Sequence, residues 1–439
     1  MSMTQQERTA AADLTSRWSR ISRRKRAAEF NRLPRGAQDD FFLALHTHDQ
    51  ADLLRKLPAS ERRVWVRLLA APEVTDLLQH VSERERSQIL ELLDEPTRTE
   101  VNALLAFKED EAGGLMSPRF ARLRVDVPVE EALAYLNQQA PHLTDIEEAF
   151  VLDQDQHLVG VVSLSELFLG DRSKRVRELM RTDFPTVDQH MDQEQVARAL
   201  RKTHLHAIPV VDPEKRMVGV VTLDDIVGVI DEEASEDMQK LGGMEALDEP
   251  YLETSFLELI KKRAGWLAIL FLGEMLTATA LGYFEGELDK AVVLALFLPL
   301  IISSGGNSGS QATTLVIRAM ALGEVALRDW FRVIRRELFA GIALGCILAA
   351  IGMTRILAWQ GMFGSYGEHY IVLGLTIAFS LVGVVMFGTI AGATLPFILR
   401  RVGLDPASAS APFVATLVDV TGLIIYFTVA KVGLTGTLL

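Results

Sequence analysis

Three groups of residues in this 439-residue chain have types and spacings suited to chemistry, and all three suit cations better than covalent catalysis. The first is Asp419, within the apolar stretch Phe413-Val-Ala-Thr-Leu-Val-Asp-Val-Thr-Gly-Leu423. An unpaired carboxylate in lipid costs at least ~2.5–3.5 kcal/mol. It must face a partner, a water-filled passage or a cation, or else pack as a neutral acid. Glu274, in an earlier apolar stretch, raises the same question. The second group is the run from Asp224 to Asp237, which holds Asp224, Asp225, Asp231, Glu232, Glu233, Glu236 and Asp237 with no Lys or Arg. On a helix Glu232 faces Glu236 and Glu233 faces Asp237, and like charges at that spacing repel. Oxygen-only ligands suit a hard cation such as Mg2+ or Ca2+; without one, the run is a solvated acidic face. The third group is Pro299 to Gln311, where Gly305, Gly306 and Asn307 interrupt an apolar segment. Irregular backbone in a bilayer is tolerated where it is buried in protein or lines a wet cavity. Such interruptions point to an ion path, and small residues also serve close helix packing.

The elements that position these groups follow from hydropathy. Five apolar segments, about 264–284, 291–322, 338–358, 370–399 and 411–436, each have the length of a membrane-spanning helix. From Ala264 onward there are 10 acidic and 10 basic residues, so the whole net charge of −13 lies before it. This division excludes a uniform soluble enzyme and a disordered chain. One cysteine, Cys346, excludes an intramolecular disulfide and a cysteine-cluster metal site. Lys261, Lys262 and Arg263 precede the first span, Arg328, Arg332, Arg335 and Arg336 follow the second, and Arg400 and Arg401 follow the fourth. The alternation places the long front in the cytoplasm and the C-terminus outside.

The front begins with a basic polar tail (1–26) that lacks an apolar core of signal-peptide length. Residues 27–110 have a helical pattern with a repeat: Ala51-Asp-Leu-Leu54 recurs as Thr75-Asp-Leu-Leu78, and Leu68 corresponds to Leu92. Stacked helical hairpins fit it. In 111–231 a strand–turn–strand–helix unit occurs twice. Leu158-Val-Gly-Val-Val-Ser163 in the first copy matches Met217-Val-Gly-Val-Val-Thr222 in the second, which continues Leu223-Asp-Asp-Ile226. This resembles a tandem pair of CBS domains, regulatory modules that often bind adenine nucleotides. The resemblance implies that Thr222 and Asp225 hold a ribose and that ATP is a ligand; read from the residues alone, Thr222 caps the following helix. A connecting segment, 232–262, leads to the membrane domain, 263–439.

Over nearly its whole length the sequence resembles the MgtE family of magnesium channels. The most specific matches are Asp110-Glu-Ala-Gly-Gly-Leu-Met116, Asp225 to Gly243, Ser304-Gly-Gly-Asn-Ser-Gly-Ser-Gln311, and Asp405-Pro-Ala407 with Pro412 to Gly422. The resemblance implies a multidomain membrane protein: an all-α helical-repeat N domain, an α/β CBS pair and a five-helix transmembrane domain. It implies a homodimer in the inner membrane that conducts Mg2+ along its symmetry axis. The pore aspartate and the carbonyl one turn earlier carry over to Asp419 and Ala415. Gly305, Gly306, Asn307, Gly422 and Glu274 are expected to line the pore. Asp225, Glu233, Glu236, Asp237 and Asp405 are expected to bind regulatory Mg2+ on the cytosolic side. No enzymatic step and no nucleic-acid partner are expected, and no Gly-x-x-x-x-Gly-Lys-Ser/Thr loop occurs. Two other readings stay open at this point: a transporter of another divalent ion (Co2+ or Mn2+), and a nucleotide sensor that its spans merely anchor.

Overall fold

The computed structural model describes residues 5–140, 143, 145–203, 205–252 and 254–436. Contacts divide the chain into two units, Met1–Glu233 and Ala234–Leu439.

The first unit starts with eight helices: α1 (Gln5–Arg17), α2 (Arg23–Phe30), α3 (Arg35–Leu43), α4 (Thr47–Lys56), α5 (Ala59–Val66), α6 (Ala71–Gln79), α7 (Glu83–Leu90) and α8 (Glu95–Leu104). Helices α2, α4, α6 and α8 start 24 residues apart, as do α3, α5 and α7. The sequence repeat is therefore a repeat of structure. The expected polar tail is part of this domain, because Leu14 and Trp18 enter its core beside Phe30 and Phe41. Arg26, counted in that tail, forms a buried ion pair with Asp49, whose other oxygen accepts Trp18 Nε1–H at 2.7 Å. A charge buried this deeply is stable only while its partner remains.

The CBS region contains α9 (Ala112–Leu115), β1 (Phe120–Arg124), α10 (Val129–Gln139), β2 (Asp145–Leu152), β3 (Leu158–Ser163), α11 (Leu164–Leu169), β4 (Val187–Asp188), α12 (Gln193–Leu200), β5 (Ala207–Val211), β6 (Met217–Thr222) and α13 (Leu223–Leu241). The two copies have the same topology. In each sheet the first strand runs parallel to the second, and the second antiparallel to the third. The Gly of each Gly-Val-Val core is explained by packing: a Cβ on Gly160 would meet Met180 Sδ at 2.5 Å, and one on Gly219 would meet Met116 Sδ at 2.7 Å. Helix α13 is continuous from β6 past Asp237, so no break separates the second CBS copy from the connecting segment.

The second unit holds the apolar helices. These are α14 (Phe256–Tyr283), a short α15 (Glu285–Lys290), α16 (Leu298–Ala321), α17 (Trp330–Phe363), α18 (Tyr370–Arg401) and α19 (Ala411–Leu434). Five of them are long and apolar enough to cross a membrane. One correction arises here. The expected irregular backbone at Ser304 to Gln311 is regular helix within α16; the irregularity lies earlier, in the 3-10 turns Val292–Phe297. Small residues explain the difference. Gly305 and Gly309 of α16 oppose Gly388 and Gly392 of α18, and a Cβ on Gly309 would lie 3.0 Å from the Gly388 carbonyl oxygen. Backbones approach this closely only where side chains are missing. Pro396, inside α18, cannot donate to the Gly392 carbonyl. Thr313 Oγ1 of α16 donates to that oxygen instead, at 2.8 Å.

Candidate cation pathway

Two faces of α19 have different tasks. Val414, Val418 and Gly422 form the buried face. A Cβ on Gly422 would come within 3.0 Å of Val384 on α18, and one on Gly305 would meet Val418 and Val384 at 2.7 Å or less. Gly305 and Gly422, expected to line a pore, are therefore packing residues in this chain. Ala415 and Asp419, one turn apart, form the second face. Opposite them lies Gly306 of α16, whose would-be Cβ is 3.3 Å from Ala415 Cβ and 3.7 Å from Asp419 Oδ1. Asn307, the next residue, is exposed. Of the glycines expected to line a pore, Gly306 is thus placed against Ala415 and next to the carboxylate.

Helix α14 reaches the same place from the other side. A Cβ on Gly273 would lie 2.5 Å from Thr416 Cγ2, so these two helices are in close contact. From α14, Glu274 interacts electrostatically with Asp419, which is three residues beyond Thr416 on α19. Two acids from separate spans thus meet at one point, and among the described residues neither has a basic partner. Such a pair is relieved by a cation or by a proton retained on one acid.

The acids expected to be regulatory have the following partners within their own units. Asp225 accepts the Thr222 hydroxyl at 2.6 Å and the Thr222 amide at 2.9 Å, closing a cap at the start of α13. The first copy closes the same kind of cap with Ser163 and Glu166. Burial raises the Asp225 pKa against those hydrogen bonds, and Asp224 adds to the rise. Glu233 accepts Gln193 Nε2–H at 2.6 Å. Glu236 and Asp405 share Lys240, whose Nζ lies 2.6 Å from Asp405 Oδ2. Burial opposes the Lys240 charge, but the two carboxylates outweigh it and hold the ammonium above its ordinary pKa. Among the described residues, one group meets the spacing needed to hold a metal: Asp153, Asp155 and His157. It is a hairpin turn closed by its own hydrogen bonds.

A family model for a divalent cation transporter, MgtE, matches residues 298–429, one for the MgtE intracellular N domain matches 9–110, and CBS domains match 112–170 and 176–232. The magnesium transporter MgtE of Thermus thermophilus is 38% identical over 422 residues, covering 95% of this chain and 92% of that protein. This chain belongs to the MgtE family. The MgtE of Bacillus subtilis is 29% identical and covers 88% of the chain and 91% of its own length. A crystal structure of the cytosolic domain of the Mg2+ channel MgtE in complex with ATP aligns at 34% identity, over 51% of this chain and 93% of that one, with a TM-score of 0.47. As an MgtE protein the chain is a membrane transporter and not an enzyme.

Sequence reasoning missed one acid of this MgtE chain, Asp76. It occupies the repeat position of Asp52, which pairs with Arg55 at 3.0 Å. One repeat later, Gln79 and His80 stand where Arg55 and Lys56 stood, so Asp76 has lost its guanidinium. Burial, then the charge of Glu109, push its pKa up to about 7; His80 pulls the other way, and Asp225 and Glu73 add smaller pushes. Comparing the two repeats residue by residue would have found it. The folded protein thus keeps the Asp76 proton up to about pH 7, whereas the unfolded carboxyl releases it near 3.8. Stability is therefore expected to fall as pH rises through that window and to level off above it. Asp76→Asn should flatten the profile and raise the melting temperature at pH 8 without added divalent cation. An equal decline in wild type and variant, followed by thermal unfolding of the purified protein, would refute this assignment.

Proposed function

We propose that this protein is a Mg2+-selective channel for magnesium uptake, built as a homodimer with its pore at the symmetry axis and closed when cytosolic Mg2+ rises. The meeting of Asp419 and Ala415 with Gly306 and Glu274 in an apolar helix bundle is the observation that supports this reading most directly. Mg2+ sheds its water slowly and usually keeps several molecules. Two Asp419 carboxylates and two Ala415 carbonyls, one of each per protomer, bind such an ion through its waters. Gly306 lets α16 pack closely against the Ala415 and Asp419 face of α19.

Regulation is assigned to Asp225, Glu233, Glu236, Asp237 and Asp405, on the family resemblance of those positions. Bound Mg2+ offsets the repulsion among these acids and favours the closed state; when it leaves, they separate. This is a population shift driven by preferential binding to one state. ATP is assigned to the CBS pair, with the Thr222 hydroxyl and the Asp225 carboxylate offered to its ribose. The alternating Lys and Arg flanks support placement in the inner membrane with the N-terminal domains cytosolic and the C-terminus outside.

Purified protein in liposomes loaded with a Mg2+ indicator tests the function. Saturable Mg2+ uptake that Co2+ and Mn2+ compete with poorly is expected. Equal preference for those ions would make it a general divalent transporter, and no cation uptake at all would favour the anchored nucleotide sensor. Gating is tested separately by changing Glu233 and Glu236 to Gln and Asp237 to Asn together. The variant should need at least several-fold more internal Mg2+ for closure, and an unchanged inhibition curve would mean that the run is a solvated face.

A further inference from the structure

Between Leu338 and Phe363, α17 carries one charged residue, Arg355. The face that packs on α18 is made of Gly341, Gly345, Ala349, Gly352 and Ile356. Arg355 lies outside that stripe and is exposed, next to Ile351, Trp359 and Met362. Its guanidinium sits 5.2 Å from the centroid of Trp359 and 5.9 Å from that of Phe297. Among the described residues it has no ion pair and no hydrogen bond. The two rings offset part of its charge, but they leave five N–H donors without acceptors.

The depth of the group follows from helix length. With 34 residues, α17 is about 50 Å long and exceeds the ~30 Å hydrocarbon layer. Arg332, Arg335 and Arg336 mark one boundary. The opposite boundary lies roughly 20 residues further on, near Trp359, and Tyr366 and Tyr370 continue an aromatic belt there. Arg355 therefore sits just inside the headgroup level of that leaflet, where phosphates are in reach of its side chain. A guanidinium is a planar fork that takes a phosphate through two parallel hydrogen bonds.

We propose that Arg355, held between Phe297 and Trp359, binds the phosphate of an anionic phospholipid in the leaflet opposite Arg332, Arg335 and Arg336. A zwitterionic headgroup brings its own ammonium, which competes for the same phosphate; an anionic one does not. Bound lipid also braces the entrance to α16. Phe297 ends the 3-10 turns that lead into that helix, and Tyr426 Oη secures the same turns by donating to the Leu294 carbonyl at 2.9 Å. The inference rests on insertion of α17 in a bilayer and not on which ion is carried.

Native mass spectrometry of the full-length protein, titrated with phosphatidylglycerol or phosphatidylethanolamine, tests it. Wild type should retain phosphatidylglycerol in preference to phosphatidylethanolamine, and Arg355→Gln should lower that retention roughly tenfold or more, the ratio expected for a lost charge-assisted hydrogen bond. Arg355→Lys keeps the charge but not the fork and should fall between the two; it carries the test if Arg355→Gln does not fold. Equal phosphatidylglycerol retention in wild type and variants would overturn the proposal. Equal retention of both lipids by wild type would overturn the anionic source. Unchanged lipid retention with a smaller dimer population would assign Arg355 to a carboxylate of a second copy, which also overturns it.

Discussion

Asp419→Ala is expected to remove Mg2+ flux, by roughly a hundredfold or more, while the protein stays folded. Each protomer of the proposed dimer loses one carboxylate, and charge-assisted hydrogen bonds of this kind contribute ~1.5–3 kcal/mol apiece. Glu274 remains in the variant but is not expected to rescue conduction. It is exposed on α14, whereas Ala415 and Gly306 lie beside the position that Asp419 occupied. Asp419→Asn, which keeps shape without charge, should fail as well. The measurement is uptake in liposomes beside a wild-type control, with size-exclusion chromatography to establish that the variant is intact. Flux at the wild-type rate in a well-folded variant would remove Asp419 from the pathway. Rescue of a bacterium deficient in Mg2+ uptake should follow the same order.

Gly392→Val is expected to prevent the membrane unit from folding. A side chain there would run into the backbone carbonyl of Gly309 and the Thr313 hydroxyl. Backbone cannot rotate away as a side-chain tip can, so α16 and α18 must separate. Overpacking usually costs about 1–3 kcal/mol. Here the Thr313 bond that satisfies the Gly392 carbonyl is lost in addition, leaving a buried acceptor unpaired at a further cost of about 1–3 kcal/mol. Gly361→Val is the control, because nothing lies within 4 Å of a Cβ at that site. Yield of monodisperse protein and melting temperature in detergent give the readout. A Gly392→Val protein as stable as the control would show that the two helices have slack at this crossing.

The parts of the molecule that could be read from sequence are those governed by local pattern. Hydropathy gave five spans, a duplicated Val-Gly-Val-Val segment gave the strands that contain Gly160 and Gly219, and one intramembrane acid gave Asp419. Facing directions could not be read in the same way. Gly305 and Gly306 are neighbours of identical type, yet one packs against Val384 and Val418 while the other packs against Ala415, beside Asp419. That choice depends on where α18 and α19 lie, which no pattern within 304–311 encodes. The partners of the acidic run were hidden for a related reason. Lys240 stands just beyond its end, and its second partner, Asp405, is 165 residues away. Glu274 was visible as an anomaly, but its meeting with Asp419 needed the Gly273–Thr416 contact between two distant helices.

The 24-residue register of α2 to α8 carries one more consequence. Domains assembled from equal modules hold together mainly through adjacent modules. A substitution confined to one copy can therefore alter its chemistry while the scaffold on both sides persists. Gln79 stands in one module where Arg55 stands in the one before it, so Asp76 lacks the salt link that Asp52 makes, while the helices on both sides keep their spacing.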